Sequence, residues 1–565
     1  MLAFRALTGL GSLRQAAAAR TEPPPGAPAA VSVRSLSKAF RLPNERYSSV
    51  KHRVLHPLVH GGYEVFPALR EIDLDVLRGE SFGIVGRNGS GKSTLLKCLA
   101  GIYRADHGTV AVRGRLAPFI ELGVGFNPEL TARDNALANA VLLGLSRAQA
   151  RERFDDILAF AELEQFADLK LKNFSTGMNV RLAFAVTIQV DADVLLFDEV
   201  LKVGDEAFQA KCLRHFDRLK EQGRTVLLVT HDMRSVERFC DRALLLDNGH
   251  VADVGSPADI ARGYHALNAA PATRRPVISR ADSGEEPSRP VGRTRPSLRA
   301  VLGPDPRRLV TLTRTLATAQ FKVKYMDAAL SYLWVLMGPL AFFGILYLVF
   351  TRVGSFDKGV AHYPLYLLSA IVLWTCFADG TSLAVDCLVQ SEALLRRLPF
   401  PHLAVPLAVV ATALFDLCMS ALAVLAFMLA SGITPRLSWL ELIPIVALLS
   451  MLTTGVAMLL SALYVRYRDV DHVWALLRQF LFYASPILYV ATTVPDNLRA
   501  IALANPLAAV FTEVRHAVID PGAPTFVAAS GGVLRALIPV AITCAVFAAG
   551  LWVFSRESPT VAENL

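Results

Sequence analysis

The two halves of the chain differ in how their hydrophobic residues are spaced. Residues 331–350 form a run without a charged side chain that is long enough for a helix to cross a bilayer. Further apolar stretches of suitable length follow at 362–388, 400–431, 440–465, 473–494 and 534–555. The pattern predicts an all-α, six-span membrane domain over residues 305–565.

Two segments near these runs have a different pattern. Residues 309–325, "LVTLTRTLATAQFKVKY", mix basic and apolar positions. They predict a helix lying in the membrane interface, with a plain continuation of the preceding linker as the alternative. Residues 500–518 are too short and too polar for a span, and a re-entrant piece at the outer face is one interpretation.

Asp379, Asp386 and Asp416 fall inside predicted spans, where we expect them to face protein or water.

Arginine and lysine residues are concentrated on one side of the predicted spans. They precede the first span and occupy the turns between spans two and three and between spans four and five. Six spans place both ends of the domain on the same side, and the positive charge makes that side cytoplasmic. We therefore expect a multi-pass protein with both termini and the N-terminal domain in the cytoplasm.

The N-terminal half contains a glycine-rich turn between a predicted strand and a predicted helix, "FGIVGRNGSGKSTLLKCLAG". That is the context of a P-loop, whose backbone N–H groups surround phosphate oxygens. Lys92 would reach the outer phosphates, and the Ser93 hydroxyl would be a ligand of Mg²⁺. The predicted ATP-binding residues of this turn are Gly86, Arg87, Asn88, Gly89, Ser90, Gly91, Lys92, Ser93 and Thr94.

Two further strands predict the catalytic groups. Residues 194–197 are continuously apolar, as in a buried parallel strand, and Asp198 and Glu199 follow them. Asp198 would hold Mg²⁺ through water, and Glu199 would polarise the attacking water. "TVLLVTHDM" predicts another strand that leads to His231, placed to contact the γ-phosphate. We therefore predict Glu199 and His231 as catalytic residues.

A second anion site is predicted at residues 173–178, "NFSTGM", just ahead of an apolar run. A helix start leaves backbone N–H groups unpaired and carries a partial positive charge. One domain thus has two candidate phosphate-binding elements.

The P-loop, "FSTGM", "LLFDE" and "THD" stand in the order and spacing of an ABC-transporter ATPase, and residues 31–265 resemble that family. "FSTGM" resembles the family's signature loop, usually LSGGQ, with Ser175 and Gly177 kept and Thr176 and Met178 different. The resemblance implies an α/β P-loop fold, ATP and Mg²⁺ as cofactors, and ATP contacts from Ser175, Gly177 and Met178. In this family the signature loop grips ATP held by a second ATPase domain, so we expect a homodimer.

Other positions of the family match less closely. Phe40 resembles the aromatic residue that stacks on adenine, Glu121 stands nearest to the family's lid glutamine, and Asp205 resembles the loop after the catalytic glutamate. The insertion at residues 41–65 corresponds to a helix that faces the membrane entrance in polysaccharide exporters, with an ordinary surface loop as the alternative.

The membrane half resembles the permeases of polysaccharide, polyol-phosphate and O-antigen exporters. The matching segments are "FKVKYMDAALSYLWVLMGPL", "YVRYRDVDHVWALLRQFLFYASPILY" and "ANPLAAVFTEVRHAVI". The resemblance implies ATP-driven export of a lipid-linked polysaccharide or related glycan across the plasma (inner) membrane. An exporter of a drug or small lipid and a non-transporting mechanical signalling ATPase are the alternatives.

Composition adds limits to this prediction. Charged residues are about twice as dense before residue 300 as after it, which separates a soluble domain from a membrane domain. The net charge of +9 includes no basic block, so no nucleic-acid partner is expected. The seven cysteines contain no C-x-x-C pair, which argues against zinc and disulfide frameworks. The predicted domains are a disordered tail (1–30), an ABC ATP-binding domain (31–268), a linker (269–304) and a permease (305–565).

Overall fold

The computed structural model describes residues 28–43, 63–119, 123, 125–198, 205–269, 279–280, 305–325, 331–353 and 360–564. Nearly all of the predicted tail, most of the insertion after Phe40 and most of the linker lie outside these residues, as do Glu121 and Glu199. The chain divides into two compact units, an N-terminal unit built on β-sheets and a helical C-terminal unit.

Two β-sheets form the framework of the N-terminal unit. Their strands are β1 (Ala29–Pro43), β2 (Tyr63–Leu77), β3 (Ser81–Gly86), β4 (His107–Val112), β5 (Leu116–Phe119), β6 (Val194–Asp198), β7 (Thr225–Val229), β8 (Arg242–Asp247), β9 (His250–Gly255) and β10 (Ser279–Arg280). The first sheet is antiparallel, with the order β10-β2-β1-β4. The second has the order β5-β6-β7-β3-β8-β9, and its strands are parallel except for β9.

The helices of this unit bury their apolar faces against one another and the sheets. They are α1 (Lys92–Leu99), α2 (Ala132–Leu142), α3 (Arg147–Glu152), α4 (Phe154–Ala161), α5 (Thr176–Ile188), α6 (Glu206–Glu221), α7 (Met233–Phe239) and α8 (Pro257–Ala269). The rings of Phe160, Phe184 and Phe208 join α4, α5 and α6, with centroids 6.0 to 6.1 Å apart. Such edge-to-face and offset contacts add to the free energy gained from burial.

The parallel register brings the ends of β3, β6 and β7 to one edge of the second sheet. All of β3 and β7 is buried, as are Val194 to Phe197 of β6, in agreement with the strands predicted there. Asp198 pairs with Val229 of β7, and Val229 pairs with Ile84 of β3. Because parallel strands end at the same edge, the turn after β3, Asp198 and the turn after β7 lie together.

The described chain from residue 305 onward is helical, and it forms the C-terminal unit except for residues 393–400, which group with the N-terminal unit. Its helices are α9 (Pro306–Tyr325), α10 (Ser331–Leu348), α11 (Tyr363–Val385), α12 (Cys387–Gln390), α13 (Glu392–Leu395), α14 (Ala404–Ala430), α15 (Leu442–Arg466), α16 (Val470–Ala484), α17 (Asp496–Ala504), α18 (Pro506–Val514), α19 (Phe526–Ser530) and α20 (Val533–Asn564). Buried aliphatic and aromatic side chains form a core between them. Buried hydroxyls such as those of Thr381, Thr453 and Ser461 donate to carbonyls of their own helices.

Four helical segments among the described residues are long and apolar enough to cross a bilayer. They are Tyr363–Val385, Ala404–Ala430, Leu437–Arg466 and Val533–Glu563, at the places of the predicted second, third, fourth and sixth spans. The first predicted span forms α10, which contains Pro339 and continues as a π-helical turn. The total of six spans stays a prediction.

The fifth predicted span, 473–494, differs from the structure. Helix α16 ends at Ala484, because Ser485 precedes Pro486 and adopts extended dihedral angles (φ −92°, ψ 147°). At about 1.5 Å per residue, a helix of 15 residues extends about 22 Å, less than the hydrocarbon core of about 30 Å. The prediction of one continuous helix over 473–494 is therefore wrong.

Side-chain hydrogen bonds hold the chain that follows α16. The Tyr363 hydroxyl donates to the carbonyl of Leu488 at 2.8 Å, and the Tyr366 hydroxyl donates to that of Tyr489 at 3.1 Å. The Asn505 amide donates to the Ser485 hydroxyl at 2.8 Å. The two tyrosine bonds satisfy backbone carbonyls that a continuous helix would have paired within itself. The predicted re-entrant segment, 500–518, contains α18 and part of α17, and its place in the membrane stays a prediction.

Helices α15 and α20 approach each other at two glycines. A Cβ atom on Gly455 would lie 2.7 Å from the Cα atom of Phe547, and one on Gly550 would collide with the carbonyl of Gly455. Small residues allow this backbone contact, which gains dispersion energy where the hydrophobic effect is weak.

Candidate functional site

The turn between β3 and α1 is shaped by glycines. Gly89 has φ +79° and Gly91 has φ +105°, in the left-handed region that glycine tolerates. A Cβ atom on Gly91 would also lie 2.7 Å from the carbonyl oxygen of Ala68, and one on Gly86 would lie 2.5 Å from the Ser90 hydroxyl. A turn of this shape brings backbone N–H groups toward one point ahead of α1.

Lys92 begins α1 and is packed into the turn. Its side chain is buried, and its ammonium donates to the carbonyls of Gly86 and Arg87 at 2.8 and 2.9 Å. The charge therefore lies within the loop, at the N-terminal end of a helix. A phosphate in the loop would meet the ammonium and the helix start together.

The remaining residues of the turn fit a nucleotide phosphate group. Asn88, Gly89 and Ser93 are exposed, and Arg87 and Thr94 are half-buried. The Ser90 hydroxyl is buried and has no hydrogen-bond partner within the described part of the chain. Phosphate binding requires hydrogen-bond donors that are not already paired, a nearby cation and a loop whose backbone can approach the phosphate closely. The turn offers the Ser90 hydroxyl, the Lys92 ammonium and glycines at positions where a Cβ atom would collide.

Two of the predicted metal and catalytic residues, Asp198 and His231, lie at the same edge of the sheet. Asp198 is the last residue of β6 and is half-buried. His231 is exposed in the bend after β7, next to Asp232, which caps α7. The N–H of Thr230 donates to the carbonyl of Ile84 at 3.3 Å, which ties this bend to β3. Glu199 lies outside the described residues.

The signature segment forms the start of α5 and is open to solvent. Ser175 is the N-cap residue, and its hydroxyl accepts a hydrogen bond from the N–H of Met178 at 3.2 Å. Ser175, Thr176 and Gly177 are all exposed, and a Cβ atom on Gly177 would meet only the Ser175 hydroxyl within 4 Å. The first turn of α5 is therefore open to solvent, where a helix start carries N–H groups without intrahelical partners.

Comparisons with known families account for both halves of the chain. A family model described as "ABC transporter" matches residues 69–202, and one described as "ABC-2 type transporter" matches residues 311–519. The ABC transporter protein AbcA of Aeromonas salmonicida is 45% identical over 237 residues, which are 42% of this chain and 76% of that protein. This chain belongs to the ABC transporters.

Other relatives of this ABC transporter are named for export systems. The O-antigen export system ATP-binding protein RfbB of Klebsiella pneumoniae is 40% identical over 41% of this chain and 95% of its own length. The teichoic acids export ATP-binding protein TagH of Enterococcus faecalis is 35% identical over 42% of this chain and 52% of its own length. A solved dimeric ATP-binding cassette with ADP and phosphate aligns with a TM-score of 0.33 and 24% identity, over 40% of this chain and 98% of that one. The transporter carries an ATPase that hydrolyses ATP and a membrane domain in one polypeptide.

Sequence reasoning missed an aromatic partner in the transporter's nucleotide domain. The ring of Tyr103 lies edge-on to that of Phe40, with centroids 5.5 Å apart. The backbone beside Phe40 is fixed by Asp106, whose carboxylate accepts from the N–H of Ala39 at 2.7 Å and pairs with Lys38 at 3.2 Å. The position of Tyr103 shortly after the P-loop helix was the sequence signal that could have indicated an aromatic residue near the nucleotide site. Glu121, the other weakly matched position, lies outside the described residues.

An ion-pair network was also missed. Arg181 of α5 pairs with Asp205, the N-cap of α6, and with Glu162 at 3.1 Å. The hydrogen bond from the Phe208 N–H and the charge of Arg181 lower the pKa of Asp205. Glu162 also pairs with Lys211 at 3.0 Å. The network connects the signature helix to the helix that follows the predicted catalytic Glu199.

Proposed function

We propose that this ABC transporter exports a lipid-linked polysaccharide or related glycan across the plasma (inner) membrane. The observation that carries the proposal is the fusion of an ABC ATPase with an ABC-2 membrane domain. Relatives of the ATPase half are named for O-antigen and teichoic acid export, and both are hydroxyl-rich polymers. A polymer of this kind must be moved from the cytoplasm to the cell surface, which suits an ATP-driven exporter.

ATP would be bound with its outer phosphates in the turn between β3 and α1. Lys92 leaves its two loop carbonyls and pairs with the terminal phosphates, and Phe40 with Tyr103 offers rings to the adenine. Mg²⁺ held by Ser93 and Asp198 would neutralise charge on those phosphates. Glu199 accepts a proton from the attacking water, and His231 contacts the γ-phosphate.

Two chains would be needed for a complete site. The signature turn at Ser175 and Gly177 is exposed and uses its serine to cap its own helix. Placed against the P-loop of a second copy, the same turn would close over the γ-phosphate. An antiparallel homodimer then has two sites, each made from both chains, and ATP forms part of the interface.

The C-terminal unit would cross the membrane six times, with both termini and the ATPase in the cytoplasm. Four of these six passes would be the helices that are long and apolar enough to cross a bilayer. The first pass would use α10, and the fifth would use α16 together with the chain that follows Ala484. Helix α9 would lie in the interface. The proposed boundaries are an ATP-binding domain at 31–268 and a permease at 305–565.

Depletion of the transporter in its native cell tests the proposal. We expect a lipid-linked glycan to accumulate at the inner leaflet, and its identity can be read by mass spectrometry of extracted lipids. Wild-type chain should clear the accumulated lipid, whereas Glu199→Gln chain at equal abundance should not. A lipid pool that stays unchanged on depletion, with a drug or small lipid retained instead, would reject glycan export.

A further inference from the structure

A cavity of about 540 Å³ lies among α9, α10, α11 and α14 of the C-terminal unit. Its volume lies in the range of small-molecule sites, roughly 300–1,000 Å³. Gly338 provides room, since a Cβ atom there would meet nothing within 4 Å. The cavity combines charged, hydroxyl and aromatic side chains in an otherwise apolar bundle, namely Lys324, Tyr325, Phe342, Thr375, Asp379 and Asp416.

One of the two carboxylates in this cavity is fully engaged. Asp416 accepts from the Lys324 ammonium at 2.7 Å through one oxygen, and from the Tyr325 hydroxyl through the other. Helix α9 is also fixed to α14 by the rings of Phe321 and Phe415, with centroids 4.2 Å apart. Lys324, Tyr325 and Asp416 therefore bind one another within the cavity wall. The positive charge of Lys324 balances the negative charge of Asp416.

The other carboxylate, Asp379 on α11, is half-buried. Within the described part of the chain it makes no hydrogen bond and no ion pair. Its charged neighbours are Lys324, already bound to Asp416, Asp416 itself, and Arg478, whose guanidinium donates to Ser382. A carboxylate in a membrane domain is costly unless something binds it, and such residues mark ligand sites.

The chemistry of the wall selects among ligands. The described residues of the wall carry two carboxylates and one ammonium, and this negative balance disfavours a phosphate. Asp379 offers acceptor oxygens, and the Thr375 hydroxyl donates to the carbonyl of Ile371 at 2.9 Å, so its oxygen is also an acceptor. Acceptors beside the ring of Phe342 suit a group with many hydroxyl donors and an apolar C–H face, which describes a sugar.

We propose that this cavity binds a glycosyl group, with Asp379 accepting hydrogen bonds from its hydroxyls. The inference rests on the proposed function and adds to it a sugar-binding site within each permease. The lipid and phosphate portions of the substrate would lie outside the cavity.

A native cysteine reports on the cavity, because Cys376 forms part of its wall. The full chain is prepared with Cys376 as its only cysteine and placed in nanodiscs of phosphatidylcholine and phosphatidylglycerol. Reaction with N-ethylmaleimide is timed with octyl β-glucoside, octyl phosphate or octylammonium present below solubilising concentrations. We expect octyl β-glucoside to slow labelling at least tenfold more than the other two. A chain whose only cysteine is Cys418, exposed on α14, should show no such difference.

Equal protection by the three amphiphiles would show that the alkyl chain alone is bound, and would overturn the proposal. Stronger protection by octylammonium would identify a cation site and also overturn it, as would a Cys376 that never reacts.

Asp379→Asn in the same background should raise the half-protecting concentration of octyl β-glucoside about tenfold, because a charged acceptor becomes neutral. Asp386→Asn is the matched control, since Asp386 accepts from Gln390 and is not in the cavity wall. Unchanged protection in Asp379→Asn would reject the role of this carboxylate. These measurements need no export, so a failure of the depletion experiment and a failure here are separate results.

Discussion

Two helices of the ATPase begin with serine and glycine, but their first turns are built differently. At the start of α1, Gly91 holds a positive φ, Lys92 is buried, and its ammonium is bonded to two carbonyls of the same loop. At the start of α5, Ser175 and Gly177 are exposed, and the cap is a single hydrogen bond within the turn.

The difference separates a turn that one chain shapes by itself from an exposed turn that, in the proposed dimer, would act only against a second chain. A buried lysine and glycine contacts below 3 Å make the α1 turn depend on its own fold. The α5 turn has space around it, so we expect its proposed contribution to ATP hydrolysis to depend on the surface placed against it. Substitutions in the two turns should therefore fail in different ways.

The largest effect is expected from replacing the proposed catalytic carboxylate, Glu199. Glu199→Gln should lower ATP hydrolysis by about 10²- to 10⁴-fold and leave ATP binding intact, because the water loses its proton acceptor. Lys92→Ala should instead weaken ATP binding itself. Radiolabelled ATP binding and phosphate release on the purified chain separate the two, and near wild-type turnover in Glu199→Gln would refute the assignment.

A matched pair of glycine substitutions compares the two turns directly. Gly91→Ala should destabilise the ATPase by about 1–3 kcal/mol, because its φ of +105° is strained for alanine and the methyl group meets Ala68. Gly177→Ala should leave the thermal unfolding of the purified chain unchanged, since that position has space, yet lower hydrolysis. Equal unfolding temperatures for both variants would contradict the comparison.

Mixing two defective chains tests assembly between copies. Lys92→Ala spoils a chain's own turn, and Ser175→Arg spoils the site of its partner. A mixed dimer therefore keeps one intact site, and an equal mixture should recover about a quarter of wild-type hydrolysis. Each variant alone is the control and should be inactive. Hydrolysis that stays at the level of the single variants would argue that both turns act within one chain.

The smallest effect on ATP hydrolysis is expected at the proposed adenine-binding part of the site. Tyr103→Ala should raise KM for ATP about three- to tenfold with little change in kcat, because an aromatic contact of this kind contributes about 0.5–1.5 kcal/mol. Tyr264→Ala on α8, where Tyr264 contacts His265, is the control. An unchanged KM would remove Tyr103 from the site.

Structural features that depend on neighbouring residues could be predicted from the sequence. Contacts between residues far apart in the chain could not. The P-loop and the strand ending at Asp198 were predictable because each depends on neighbouring residues. Phe40 and Tyr103 meet only after β1 and the P-loop helix pack, and Arg181 meets Asp205 only when two helices come together. The end of α16 at Ala484 was readable from Pro486, but the hydropathy of residues 485–494 outweighed that local signal.

The glycine contact between α15 and α20 has a mechanical effect on the permease. Because the backbone at Gly455 touches the backbone at Phe547 and Gly550, no layer of side chains separates the helices at that point. Side chains can change rotamer to let helices slide, whereas backbone against backbone resists sliding and rotation alike. We therefore expect α15 and α20 to move as one rigid unit during a transport cycle. Bending would then occur elsewhere, for example in α10, which contains a proline, and in the turn after α16.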